Sequence, residues 1–188
     1  MDLKNKTSIG WEMDKLDTFL NKGYTLLRDE KLLKTFDIDA LDWGEKGDMG
    51  VALAKRNEDI NKQLEKLADK VSDNYVMPIF GSHGVSKIEV VNGLDKPTLE
   101  WHNDLVEGPN CGCLLYFDDT DEDTGGAIKF RHAKSKDQIS EIYPKKFDII
   151  VINHSLRFQH MVTEQKMPVP RRVMSLNFYL DERLSKWF

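Results

Sequence analysis

The second half of the chain is a series of short apolar stretches, each about one strand long and each closed by a turn signal. Residues 85–92, 113–117, 127–130, 147–153, 159–162 and 171–179 are rich in Val, Ile, Leu, Phe and Tyr. Gly125-Gly126, Pro144 and the acidic run 118–123 break them up. Many short strands separated by Gly, Pro and Asp predict an antiparallel β structure that must close on itself or stack to hide its edges. No internal repeat or low-complexity tract competes with this reading.

The first part reads differently. Residues 51–75 carry Leu53, Ile60, Leu64, Leu67 and Val71 at helical spacing among Lys, Glu and Asp, which predicts an amphipathic helix. Shorter helices are expected over 11–20 and 32–36, with a strand over 23–27 between them and a loop over 44–50. Pro78, Gly81 and Gly84 mark the passage into β structure. At 188 residues the chain is long enough for one well-filled core. The expectation is a single domain over 1–188, with a helical N-terminal part (1–77) and a β core (78–188). The fold class is α+β and mainly β, a jelly-roll double sheet with helices packed on one face.

Composition narrows the setting. No apolar run approaches a membrane span, and the segment Met1-Asp2-Leu3-Lys4-Asn5-Lys6 lacks the apolar core of a signal peptide, so a cytoplasmic protein is expected. A net charge of −5 argues against nonspecific nucleic-acid binding. Cys111 and Cys113 fall on one face of one strand, a poor geometry for a mutual disulfide, and read as small buried thiols. The 118–123 loop lacks the Gly and terminal Glu of a dedicated calcium loop.

Chemistry concentrates in four residues. Trp101-His102-Asn103-Asp104 places a histidine and a carboxylate two apart, on one face if the segment is extended. His160 follows on a later strand, and Arg171 after that. Two imidazoles and a carboxylate hold one face of an iron(II) ion and leave the other open. Each residue alone also fits a plain role: His102 and His160 as strand histidines, Asp104 as a turn carboxylate, Arg171 as a solvated cation. Of the other histidines, His83 sits in a glycine-flanked turn, His132 at a strand end, and His154 in a turn between two strands, near the site but with less support than His160 has from its strand setting.

From Val85 to the C-terminus the chain resembles the iron(II)/2-oxoglutarate-dependent dioxygenases, closest to the prolyl-4-hydroxylase-like branch. The resemblance is carried by the His102–Asp104 pair, the strand ending in Tyr116, the acidic loop, Gly125-Gly126, the apolar strand after Pro144, His160, and the segment Arg171 to Tyr179. It implies a double-stranded β-helix with His102, Asp104 and His160 as iron ligands and catalytic centre. Arg171 then binds the distal carboxylate of 2-oxoglutarate, with Tyr116 and Ser175 as hydrogen-bond helpers. Arg172 is the rival for Arg171's role. Iron(II), 2-oxoglutarate and O2 are the implied cofactors, with ascorbate as an accessory reductant.

The implied activity is hydroxylation of a substrate C–H bond, first of a prolyl residue in a peptide or protein. A free amino acid or small metabolite is the next choice, and a methylated nucleobase the third. Where many prolyl-hydroxylase-like chains carry a Tyr ahead of the His-x-Asp pair, this one reads Val90-Val91-Asn92-Gly93. Retention of Asp104 favours hydroxylation over halogenation. Rival readings from other classes are a zinc hydrolase on the same ligands and a jelly-roll binding module with an accidental His-x-Asp. Trp43, Trp101 and the segment 76–100 are candidate walls of the entrance.

Overall fold

Two antiparallel sheets face each other across an apolar interior, and helices cover the outer face of the larger one. The computed structural model describes residues 13–47, 50–81, 84–93, 99–104 and 110–180. The larger sheet is built from β1 (Tyr24–Arg28), β2 (Trp43–Lys46), β3 (Ala52–Ala54), β4 (Gly84–Asn92), β6 (Asn110–Tyr116), β9 (Asp148–Asn153) and β11 (Arg172–Tyr179), in the order β1-β9-β6-β11-β4-β3-β2. The smaller contains β5 (Leu99–His102), β7 (Ile128–His132), β8 (Gln138–Ile142) and β10 (Phe158–Val162), in the order β5-β10-β7-β8. This is the jelly roll expected from the strand pattern.

The central strands of the large sheet are apolar on both faces, and period-two alternation sorts their side chains into two cores. Cys111, Cys113, Leu115, Ile149, Val151, Met174, Leu176 and Phe178 point outward to the helices. Tyr116, Ile150, Ile152 and Val173 point inward, where they meet Ile128 and Phe130 of the small sheet. Both cysteines are buried free thiols, as expected.

The helices are α1 (Met13–Lys22), α2 (Glu30–Leu33), α3 (Glu58–Val71) and α4 (Met77–Phe80). α3 starts at Asn57, whose side chain accepts the backbone N–H of Ile60 at 2.9 Å, with Glu58 and Asp59 in the first turn. It buries Leu64, Leu67, Ala68 and Val71.

Two N-terminal expectations are corrected. The helix expected from 51 begins at Glu58. Residues 52–54 instead pair with β4, which leaves Leu53 more than half exposed. The loop expected over 44–50 opens as β2, which forms a hairpin with β3. A 3.6-residue pattern and a two-stranded edge both tolerate the sequence Val51-Ala52-Leu53; the Asn57 cap and the free edge of β4 decide. β1, β2 and β3 carry the large sheet across the 77/78 boundary, so the N-terminal part is not solely helical. The start of the helix expected at Trp11, and His83, lie outside the described residues. No described helix is long and apolar enough to cross a membrane.

Leu67 is 2% exposed in the helix-side core. Leu67→Ala is expected to cost about 2–5 kcal/mol of unfolding free energy, read from the urea midpoint at unchanged slope.

Candidate metal centre

His102 closes β5 and His160 lies mid-strand in β10, and the two are direct register partners. Opposed residues of antiparallel strands hold their side chains a few ångströms apart, and here the imidazole centroids are 4.3 Å apart. Asp104 lies just past the end of β5 rather than within it, so the strand carries one ligand and its exit the other. One ligand atom each from His102, Asp104 and His160 fall within 4.8 Å of one another. The Asp104 oxygens stand 3.7 Å from His102 Nε2 and 3.5 Å from His160 Nε2.

Burial and hydrogen bonding prepare these groups for a cation. His102 Nδ1 lies 2.5 Å from the Glu100 carbonyl oxygen, which can only accept. The ring proton therefore sits on Nδ1, and the Nε2 lone pair faces Asp104. Burial pushes the His160 imidazole below the ordinary histidine range, which keeps it neutral. The hydrogen bond from His160 and the surrounding imidazoles hold the Asp104 carboxyl well below the usual carboxylate range, despite its partial burial. Two neutral imidazoles and an ionised carboxylate are the protonation states a metal needs.

Arg171 and Arg172 part company at the start of β11. Arg172 is committed to structure: its Nη2 donates to Asp118 Oδ1 at 2.6 Å, its Nε to Asp118 Oδ2 at 2.9 Å, and its Nη1 to Asp39. Arg171 is 6% exposed, and no carboxylate among the described residues pairs with it. Its Nε donates a long bond of 3.4 Å to the Gly126 carbonyl, and its guanidinium lies 5.6 Å from the Tyr116 ring centroid. The buried Tyr116 hydroxyl has no geometrically sound hydrogen bond among the described residues. Burial pushes that phenol up, against the opposing charge of Arg171, so it remains a hydroxyl that can donate. A buried guanidinium without a carboxylate among the described residues, beside a buried hydroxyl, fits a carboxylate ligand.

Gly126 makes the arm possible. It has φ of +75°, and a Cβ there would stand 2.8 Å from Arg171 Nε and 2.9 Å from its Cδ. Ser175 lies on the face of β11 that carries Val173 and Asn177, opposite Leu114 of β6. It therefore falls on the inner side with Tyr116.

Other expectations resolve differently. Trp43 packs on the helix-side core, away from the interior. The Arg131 guanidinium stacks 4.4 Å from the Trp101 ring and bonds Gln159 of β10. Trp101 thus lies on the outer face of the small sheet, because alternation sends it opposite to His102. The acidic loop is used internally: Asp118 holds Arg172, Asp119 accepts the Lys146 N–H, and Asp121 caps the turn at Thr124. His132 ends β7 beside the Phe158 ring.

His154, read from sequence as a turn residue, is 2% exposed, with Nε2 3.7 Å from Asp104 Oδ2. The readable signal was Gly112, a glycine inside an apolar strand, which marks a close approach.

No protein-family model matches the chain, and no curated protein sequence matches it. Solved structures do match its fold. A prolyl hydroxylase from Trichoplax adhaerens, in complex with a hypoxia inducible factor peptide fragment, aligns with TM-score 0.59 at 16% identity, over 92% of this chain and 90% of that one. HygX from Streptomyces hygroscopicus, solved with nickel and 2-oxoglutarate, gives TM-score 0.65 at 10% identity, over 90% and 87%. The chain shares its double-sheet jelly-roll fold with both. A Pseudomonas putida prolyl-4-hydroxylase shares the fold with TM-score 0.53 at 14% identity, over 89% and 98%.

Acid is expected to destabilise the metal-free protein in two stages. Burial lowers His154 from the ordinary 6.5 to about 3, with the neighbouring His160 adding to it. Between those values the unfolded chain binds a proton that the folded one refuses, so stability falls as pH drops below about 6.5. Asp104, whose folded value is depressed, adds a loss below the unfolded carboxylate range. Denaturant midpoints across pH 2–8 check both stages: a flat profile between 5 and 6.5 contradicts neutral buried imidazoles.

Proposed function

We propose that this chain is an iron(II)- and 2-oxoglutarate-dependent oxygenase that hydroxylates a substrate C–H bond. The observation that carries the reading is the pairing, in one fold, of a two-histidine, one-carboxylate group with a buried guanidinium that no described carboxylate neutralises. His102, Asp104 and His160 are the residues that would hold the metal. Arg171 would take the distal carboxylate of 2-oxoglutarate through its planar fork, which suits a carboxylate better than an ammonium does. Tyr116 donates a further hydrogen bond, and Ser175 lines the same face.

Bound iron and 2-oxoglutarate supply the oxidising chemistry, with O2 as co-substrate and ascorbate as accessory reductant; the protein supplies orientation and a dry interior. Tyr116, Phe130, Ile128 and Val173 exclude water from the inner side, while Asp104, half exposed, stands on the side open to substrate. A closed structural zinc site is disfavoured by the donor set. Neither a zinc hydrolase nor a binding module gives Arg171 a role.

The substrate reading is a peptidyl or protein side chain, prolyl first, supported by the likeness to two prolyl hydroxylases. A small-molecule substrate is the second reading, supported by the likeness to HygX, which was also solved with hygromycin B bound. The net negative charge sets the nucleobase reading behind both.

Anaerobic addition of iron(II) and 2-oxoglutarate is expected to give a visible metal-to-ligand charge-transfer band, absent in His102→Ala. A folded wild type without the band sinks the proposal. Titrating the band separates the arginines. Arg171→Ala is expected to weaken 2-oxoglutarate binding by about 2–5 kcal/mol, whereas Arg172→Ala should lower stability and leave binding near wild type. Gly126→Ala is expected to weaken 2-oxoglutarate binding without touching metal affinity, because the added methyl displaces Arg171.

A further inference from the structure

His102 reaches the interior through an irregularity in its strand. Leu99 of β5 pairs with Val162 of β10, and His102 pairs with His160. Three steps along β5 thus match two along β10, so Glu100 and Trp101 together stand opposite Met161. An extra residue of this kind is a β-bulge, which re-aims the side chains that follow it. Unbulged pairing carried on from Leu99 would set Trp101 against His160 and His102 against Gln159, on the outer face. The bulge also supplies the Glu100 carbonyl that faces His102 Nδ1. β5 has a strand neighbour on one side only, so its backbone ladder offers little to hold an extra residue in place.

Three side chains on the outer face of the small sheet meet at this point. Arg131 of β7 and Gln159 of β10 are register partners. Gln159 Oε1 accepts from Arg131 Nε at 2.9 Å and from its Nη2 at 2.8 Å, which ties the guanidinium to β10. The guanidinium carbon lies 4.4 Å from the centroid of the Trp101 ring on β5, within the range of cation–π attraction. The contacts therefore run across β7, β10 and β5 at the level of the bulge. His160 and His102, each the next residue after a member of this chain, face the other way.

We propose that Trp101, Arg131 and Gln159 form a clamp that locks the bulge of β5, which makes them positioning residues for His102. The inference rests on the metal-centre reading above. Trp101 meets Arg131 only from the outer face, and when it does so His102 is turned inward. The unbulged register withdraws the ring from the guanidinium and puts an imidazole outside. An ion that needs both His102 and His160 binds the bulged form alone, so its apparent affinity falls with the fraction of molecules in that form. The clamp raises that fraction before any ion arrives.

The test reads metal binding and strand register without 2-oxoglutarate or turnover. Cobalt(II) affinity is measured for the full chain as wild type, Trp101→Ala, Trp101→Phe, Arg131→Met and the Trp101→Ala/Arg131→Met double variant, each checked for a cooperative melt. Trp101→Ala and Arg131→Met are each expected to bind cobalt roughly 3- to 30-fold more weakly, with metal-free melting points close to wild type. Trp101→Phe, which keeps an aromatic face, should recover much of the affinity. The double variant should be no weaker than the worse single one, because both remove the same clamp. In the metal-free protein, the cross-strand proton contact between His102 and His160 should be strong in wild type and reduced in Trp101→Ala. Wild type, with no substitution, should show Arg131 side-chain protons shifted by the Trp101 ring current.

Wild-type affinity and an intact His102–His160 contact in a folded Trp101→Ala overturn the inference, as does the absence of the ring-current shift. Additive losses in the double variant also overturn it, and so does a loss of affinity that Trp101→Phe shares in full. A wild type that binds no cobalt removes the metal-centre reading, while the His102–His160 contact in the metal-free protein still decides whether the clamp sets the register.

Discussion

The central strands of the large sheet are buried on both faces, and the separation of those two faces organises the rest of the molecule. Alternate residues of β6, β9 and β11 go either to the helices or to the interior. On β6 the outward set is Cys111, Cys113 and Leu115, and the inward set is Asn110, Gly112, Leu114 and Tyr116. One set is a plain apolar core. The other grades from polar at the His154 end to aromatic at the Arg171 end, so a single strand serves both the metal centre and its carboxylate arm. Helices α1 and α3 have no part in the chemistry, yet without them the outward set would face water and the strands would lose their order.

The same alternation explains the two neighbouring arginines. A chain entering a strand must send consecutive side chains to opposite sides. Arg172 goes to the acidic loop, where Asp118 and Asp39 neutralise it, while Arg171 goes inward past Gly126. The pair is thus a division of labour: one cation pins the start of β11 while the other is held with no carboxylate partner among the described residues. Burying an unpaired guanidinium is costly. The Gly126 carbonyl and the Tyr116 ring offset part of that cost, and the ion pairs next door fix the backbone that imposes it.

Much of this was legible in the sequence because it depends on short-range rules. Strand length, turn residues and period two pointed to the jelly roll, and parity put Arg171 and Arg172 on opposite sides of their strand. Longer-range features were not. The start of α3 was misread because Val51 to Leu53 satisfies a helical pattern and an edge-strand pattern equally; pairing with β4, distant in sequence, decides. The position of Trp101 was misjudged although the rule that sends His102 inward sends its neighbour outward. His154 does lie in the turn that the sequence indicated, but its burial against a glycine of another strand is a contact that nothing local reveals. Contacts between residues far apart in the chain are where local reading ends.

The register of β5 against β10 carries a further consequence. His102 and His160 face each other across that pairing, and β5 is a short edge strand with few hydrogen bonds to fix its alignment. A slip by one residue would turn His102 to the outer face and bring Trp101 or Asn103 into its place. Such a slipped form could keep much of its sheet bonding but would lose one of two imidazoles. An ion held by both rings would therefore discriminate between alignments that backbone hydrogen bonds alone barely distinguish. The small sheet would then owe its correct threading in part to its cargo.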